Sequence, residues 1–195
     1  MNPNKPNYIR KLLLILTFIF SSSYAFSQFS EEDQAKLDGY INSATEFAKN
    51  SETEKAAGAY YKAGMFCIEK GQNKNAIPYL KESGKLYAEI KNYEKVMKVY
   101  SNIGLLYANI DNLEKSMVYF QSSLKIRKNI GDKSLIASGL LDLAYILSLQ
   151  KKHKDAILNV ITALDIASEI QDSKLILVSY RMLAENYQEH QEGSS

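Results

Sequence analysis

Few side chains in this 195-residue sequence have the types and spacing that chemistry needs. Two histidines, His153 and His190, and one cysteine, Cys67, are all it offers of those types. A zinc site needs several Cys or His ligands together, and a His-dependent catalytic centre needs partners at fixed spacing. His153 stands in the turn Lys151-Lys152-His153-Lys154, which reads as a solvated basic loop, and His190 stands near the C-terminal end. Cys67 falls at a core-type position, so an inert buried thiol is expected rather than a nucleophile. Glu31-Glu32-Asp33 follow Ser30, an order that suits a helix N-terminus by capping and dipole complementarity better than it suits a calcium site. No P-loop, no H-E-x-x-H and no G-x-S-x-G occurs. The 14 tyrosines could offer stacking platforms, yet their regular spacing reads first as core. No catalytic residue, no metal site and no cofactor is therefore expected, and the chain reads as a non-enzyme without a small-molecule substrate.

Composition agrees. The sequence is 46% hydrophobic and 24% charged, near globular averages. Nine Gly, three Pro and no Trp argue against collagen-like, Pro-rich or hairpin-dense β architectures. A single cysteine also excludes an intramolecular disulfide framework.

Residues 1–27 differ from everything after them. Lys5, Arg10 and Lys11 precede the apolar run Leu12–Phe20, and Ala25-Phe26-Ser27 gives a small-x-small exit before Gln28. This is the secretory signal-peptide pattern. The run falls short of the roughly 20 apolar residues that span a bilayer as a helix. Export to the periplasm, cell surface or medium, with cleavage near Ser27-Gln28, is the first expectation, and an uncleaved inner-membrane anchor is the alternative. No cysteine stands at the exit of the run, so lipoprotein attachment has no residue to use. Cleavage removes three of the 24 Lys and Arg and none of the 22 Asp and Glu, leaving a net charge of −1. A nucleic-acid surface needs an excess of Lys and Arg to replace phosphate counterions. That excess is missing.

The remaining chain repeats itself at an interval of 40 residues. Ile90, Ile130 and Ile170 coincide, as do Gly64, Gly104, Ala144 and Ala184, and Tyr60, Tyr100, Leu140 and Tyr180. Leu80, Phe120 and Val160 form another set; Ser83, Ser123 and Ala163 form a further one. Within a unit the spacing is helical: Tyr100, Ile103, Gly104 and Tyr107 share one face at 3.6 residues per turn. Asp111 can cap a second helix with Glu114 reaching back, and Gly131-Asp132 suits a left-handed C-cap followed by an N-cap. Helices are expected near 30–49, 53–69, 73–90, 94–109, 113–129, 133–149, 153–170 and 174–189. The first aligns with a second helix, because Tyr40, Ser43 and Phe47 lie 40 residues before Leu80, Ser83 and Tyr87. The expected organisation is a signal peptide at 1–27, an N-terminal half repeat at 28–52, hairpins at 53–90, 94–130 and 133–170, a half repeat at 174–190, and a disordered tail at 191–195. Pro78 should kink its helix unless it lies in the first turn.

These residues resemble the tetratricopeptide repeat (TPR). The signature reads Tyr100-x-x-Ile103-Gly104-x-x-Tyr107, then Ser116, Phe120 and Ser123; the next unit reads Leu140-x-x-Leu143-Ala144-x-x-Leu147, then Ala156, Val160 and Ala163; the last is Tyr180-x-x-Leu183-Ala184-x-x-Tyr187. The period is 40 rather than the family's usual 34, similar to kinesin light chain and some bacterial peptide-sensing regulators. Ala88, Lys128 and Ser168 replace the family's helix-ending proline. The resemblance implies an all-α solenoid of stacked antiparallel hairpins and a function on the face built by the first helix of each hairpin.

By phase, the residues on that face are Tyr61, Met65, Ile68, Ser101, Asn102, Leu105, Ala108, Asn109, Leu141, Asp142, Tyr145, Arg181 and Glu185. Apolar members would give area, Asn102 and Asn109 could bond an extended peptide backbone, and Asp142 or Arg181 could fix its orientation. Only Asn102 fits the Lys, Asn and Arg cluster of the family's chaperone-tail binders, so that activity is disfavoured. The last half repeat, with no second helix, should expose an apolar strip at Tyr180, Leu183 and Tyr187, open to self-association or a docking partner. The first reading is an exported scaffold binding a protein or peptide. The second is the repeat-bearing input fragment of a membrane-linked sensor or transcription regulator.

Overall fold

The structure, a computed structural model, describes residues 29–192. The expected signal segment, its cleavage point and the end of the expected tail lie outside those residues. Among the described residues there are eight helices and no strand. They are α1 (Glu31–Lys49), α2 (Thr53–Glu69), α3 (Asn73–Glu89), α4 (Tyr93–Asn109), α5 (Leu113–Ile130), α6 (Lys133–Leu149), α7 (His153–Glu169) and α8 (Ser173–Glu192). None of them is long and apolar enough to cross a membrane. Helix α8 continues to Glu192, so Gln191 and Glu192 are helical where a tail was expected.

The described residues divide between Gly39 and Tyr40 into two units. Helix α1 begins in the first, where Ser30 Oγ accepts the Asp33 N–H at 3.1 Å and Glu31, Glu32 and Asp33 fill the first turn. Capping and favourable interaction with the helix dipole both follow. The second unit holds the rest of α1 and the seven helices after it. From α2 onward each helix packs on the next, α2 with α3, α4 with α5 and α6 with α7 as hairpins.

One turn geometry joins them at a 20-residue beat. Ser51, Gly71, Lys91, Asp111, Gly131, Lys151 and Gln171 all have positive φ, from 56° to 81°. At every one except Gly131 the helix closes as a Schellman motif: Lys91 N–H bonds Ala88 O at 3.0 Å and Asn92 N–H bonds Tyr87 O at 2.9 Å, and the pattern recurs along the chain. Gly131 makes the simpler closure, its N–H on Arg127 O at 3.1 Å. Two side-by-side backbone bonds per turn satisfy helix carbonyls that would otherwise go unpaired. They offset the cost, about 1–2 kcal/mol, of a side chain in left-handed backbone.

This geometry corrects one expectation. Asp111 does not cap α5; its left-handed backbone ends α4, and Asn112 caps α5 by accepting the Lys115 N–H at 3.1 Å. Asn92, Asp132 and Asp172 cap in the same way at the equivalent places. Pro78 lies in the second turn of α3, and the helix runs through it on the exposed side. Water can reach the carbonyl it orphans there.

Packing within a hairpin rests on a small residue facing a large one. Gly64 lies so close under Leu80 that an added Cβ would come within 2.6 Å of Leu80 Cγ, and one at Gly104 would meet the Phe120 ring at 3.0 Å. In the third hairpin Ala144 and Val160 belong to one buried cluster. The extra methyl at Ala144 is matched by a smaller side chain opposite. Gly104→Ala should therefore lower the unfolding free energy by about 1–3 kcal/mol through overpacking. Phe120→Val, which copies the Ala144–Val160 pair, should cost less in urea denaturation on the Gly104→Ala background than in the wild-type chain.

Candidate functional site

The first helices α4, α6 and α8 line an open cavity of about 1070 Å³. Its apolar floor is Leu105 from α4, Leu141, Tyr145 and Leu149 from α6, and Val178 and Met182 from α8. Met65, Leu105 and Tyr145 succeed one another at intervals of 40 residues and are 36%, 45% and 43% exposed. The core helices thus leave large apolar side chains facing water, as a binding surface does.

Of the expected groove residues, Leu105, Leu141, Asp142, Tyr145, Arg181 and Glu185 come together around this cavity. Tyr61, Met65 and Asn102 form a second group, in which Asn102 Nδ2 donates to Tyr61 Oη at 3.1 Å and lies 3.6 Å from Met65 Sδ. Asn109 is exposed near the end of α4 and joins neither group. Ile68 and Ala108 are half-buried. Arg181 and Glu185 pair loosely at 3.8 Å on the exposed rim, which leaves both accessible to a ligand.

Asp142 is not a free groove charge. Its Oδ2 accepts from Arg127 at 3.1 Å. Burial raises its carboxyl above the ordinary aspartate value, and the Arg127 guanidinium pulls it back only in part. Arg127 itself is buried on α5 and was not legible as a site residue. It donates to Ser101 Oγ at 2.9 Å, Leu135 O at 3.1 Å, Ser138 Oγ, and Ser123 Oγ at 3.3 Å. Ser123 in turn donates to Met97 O at 3.0 Å. A guanidinium can enter a core only when nearly all its donors are met. Gly139 makes room, since a Cβ there would meet Arg127 Cδ at 3.0 Å. The clue in the sequence was the 40-residue alignment, which sets Arg127 where other units have Phe47, Tyr87 and Ala167.

His153 is also corrected. Lys151, Lys152 and Lys154 are exposed, but His153 opens α7 half-buried against α8. Its Nδ1 lies 3.3 Å from Asn186 Oδ1 and 3.4 Å from a Glu189 carboxylate oxygen. Ser148 donates to the same Asn186 oxygen at 2.6 Å. This polar cluster closes one end of the cavity. Cys67 is fully buried, and burial pushes its thiol up to about 11, far from the thiolate a nucleophile needs. Among the described residues no three His, Cys, Asp or Glu side chains gather as a metal site requires.

The network beneath the groove and the pair on its rim should differ sharply in worth. Arg127→Ala strips donors from buried Ser123 and half-buried Ser101 and Ser138 and leaves Asp142 without its partner, so a loss of about 3 kcal/mol is expected in urea denaturation. Arg181→Ala should cost under about 0.5 kcal/mol, as an exposed pair does.

The sequence matches the family model of the soluble NSF attachment protein, SNAP, over residues 26–183. The chain belongs to that family. Among curated proteins, none matches it. Solved structures share the fold. The apo form of RapI superposes with a TM-score of 0.73 at 17% identity, over 83% of this chain and 45% of that one. A Podosopora anserina protein described as a kinesin light chain of nearly identical TPR-like repeats gives 0.67 at 14% identity, over 82% and 80%. A Rap protein complexed with Competence and Sporulation Factor gives 0.54 at 14% identity, over 76% and 51%. The chain thus spans about half the length of both Rap proteins. TPR-like helical repeats, expected from residues such as Tyr100, Gly104 and Phe120, are what these structures share.

Proposed function

We propose that this SNAP-family chain is an exported, non-enzymatic scaffold that holds a protein or an extended peptide in the groove between α4, α6 and α8. The observation that carries the reading is the row of exposed apolar side chains, Leu105, Tyr145 and Leu149, over an open cavity of about 1070 Å³. Apolar side chains of the ligand would settle on that row, and Arg181 and Glu185 on the rim would fix its direction. Asn109, exposed near the end of α4 and outside both groups, would bond the peptide backbone only where the ligand runs past that end. Tyr61, Met65 and Asn102 extend the surface toward α2. Two comparisons lend support: the family is named for an attachment protein, and one fold neighbour is complexed with a factor in its own structure. The mature net charge of −1 weighs against nucleic acid.

Peptides selected against the wild-type chain by display should bind Leu105→Asp at least about tenfold more weakly, the loss of one central apolar anchor. They should bind Val118→Asp, altered at an exposed residue of α5, as well as wild type. Equal binding to Leu105→Asp would reject the groove.

Export rests on residues 1–27, and the family match begins at residue 26, leaving the apolar run ahead of it. Mass spectrometry of the cell-derived protein should find an N-terminus near Gln28. An intact Met1 would favour the membrane-linked sensor instead.

A further inference from the structure

Positions 180, 184 and 187 of α8 repeat positions that are covered earlier in the chain. Gly64 lies under Leu80, Gly104 lies under Phe120, and Ala144 is buried in a cluster with Val160. On α8 the corresponding row is open. Leu177, Tyr180 and Tyr187 are 71%, 60% and 49% exposed, and Ala184 is exposed where Gly64, Gly104 and Ala144 are all buried. Leu183, expected in the same strip, packs inward instead. The row is therefore a seat of the kind that receives a helix, and no helix among the described residues occupies it.

The geometry points to a second copy of this chain as the occupant, with α8 laid antiparallel on α8 about a two-fold axis at the level of Met182. The order of side chains selects this partner. Tyr180 and Ala184 lie two residues on either side of position 182, and Leu177 and Tyr187 lie five on either side. Antiparallel pairing sets each Tyr180 over the partner's Ala184 and each Leu177 beside the partner's Tyr187. A large ring over a small residue is the contact that Phe120 already makes on Gly104. Parallel pairing would set ring on ring and leave a void between the two alanines. An isologous contact of this kind closes on itself and does not run on into fibres.

Charge and area agree. Leu177, Tyr180, Ala184 and Tyr187 carry no formal charge, and Arg181 at the edge of the row has Glu185 of its own helix beside it at 3.8 Å to offset its charge. Covering these side chains on both copies would bury roughly 800 Å², the size of a weak, transient contact rather than of a permanent one. The expected product is a reversible dimer. Val178, Met182 and Glu185 line the cavity from another side of α8, so the pairing stands apart from the groove reading and is tested apart from it.

Sedimentation of the purified full chain over a concentration series should show a monomer–dimer equilibrium. Tyr180→Lys alone and Ala184→Glu alone should each weaken it at least tenfold while far-UV circular dichroism stays unchanged. An equimolar mixture of the two variants should regain dimer, because one lysine then meets the partner's glutamate while the other pair keeps its native tyrosine and alanine. Three results would overturn the proposal: a monomer throughout the series, association that neither variant weakens, or a mixture that stays monomeric.

Discussion

Everything in the second unit depends on a small residue accepting a large one across each hairpin. A single hairpin of these sequences has an apolar stripe it cannot bury alone. Stacking buries it, but only where helices approach closely enough for side chains to interlock. Gly64 with Leu80, Gly104 with Phe120, and Ala144 with Val160 are three solutions of one volume problem. The approach they permit fixes the phase of each first helix. It therefore also fixes which side chains, such as Leu105 and Tyr145, are left pointing at water. The groove is a by-product of the core's register.

That register was legible because it is written as repetition. Periodicity located the helices closely, and the small–large alternation located the core. What it did not disclose was how the helices end. A left-handed residue every 20 positions would be found from sequence only if glycine marked it, and glycine does so at Gly71 and Gly131 alone. Ser51, Lys91, Asp111, Lys151 and Gln171 take the same backbone because two closing hydrogen bonds and the packing of both neighbouring helices impose it. An aspartate before a helix looks like a cap, yet the tertiary turn had already claimed it, and the next residue, Asn112, took the role.

The site was legible in the same uneven way. Phase along a helix says which residues share a face, and it grouped Leu105, Leu141, Tyr145 and Arg181 as the structure does. Phase says nothing about partners on other helices. Asp142 pointed the right way but was bound to Arg127, a residue from a second-type helix that no groove argument would visit. His153 reads as loop from the lysines beside it, but contact with Asn186 and Glu189, more than 30 residues further on, decides its burial. Polar residues in this fold are set by pairs across hairpins, and such pairs leave only faint marks in one sequence.

Repetition also gives exposure a meaning it lacks in a non-repeating protein. An exposed tyrosine is ordinary by itself. Tyr180 is exposed at a position whose counterpart Leu140 is buried, and Ala184 is exposed where three counterparts are buried. The contrast is internal to the chain and free of any assumed standard of surface polarity. Leu105 and Tyr145 differ in kind, because their counterparts among the described residues, Met65 and Glu185, are open too. One surface is open at every step of the array by its own geometry. The other is open at one step only among the described residues, at a place where earlier steps are covered by the next helix of the array. An interface built on the first should tolerate varied ligands along its length, whereas one built on the second should accept only a helix with a large side chain in register with Ala184.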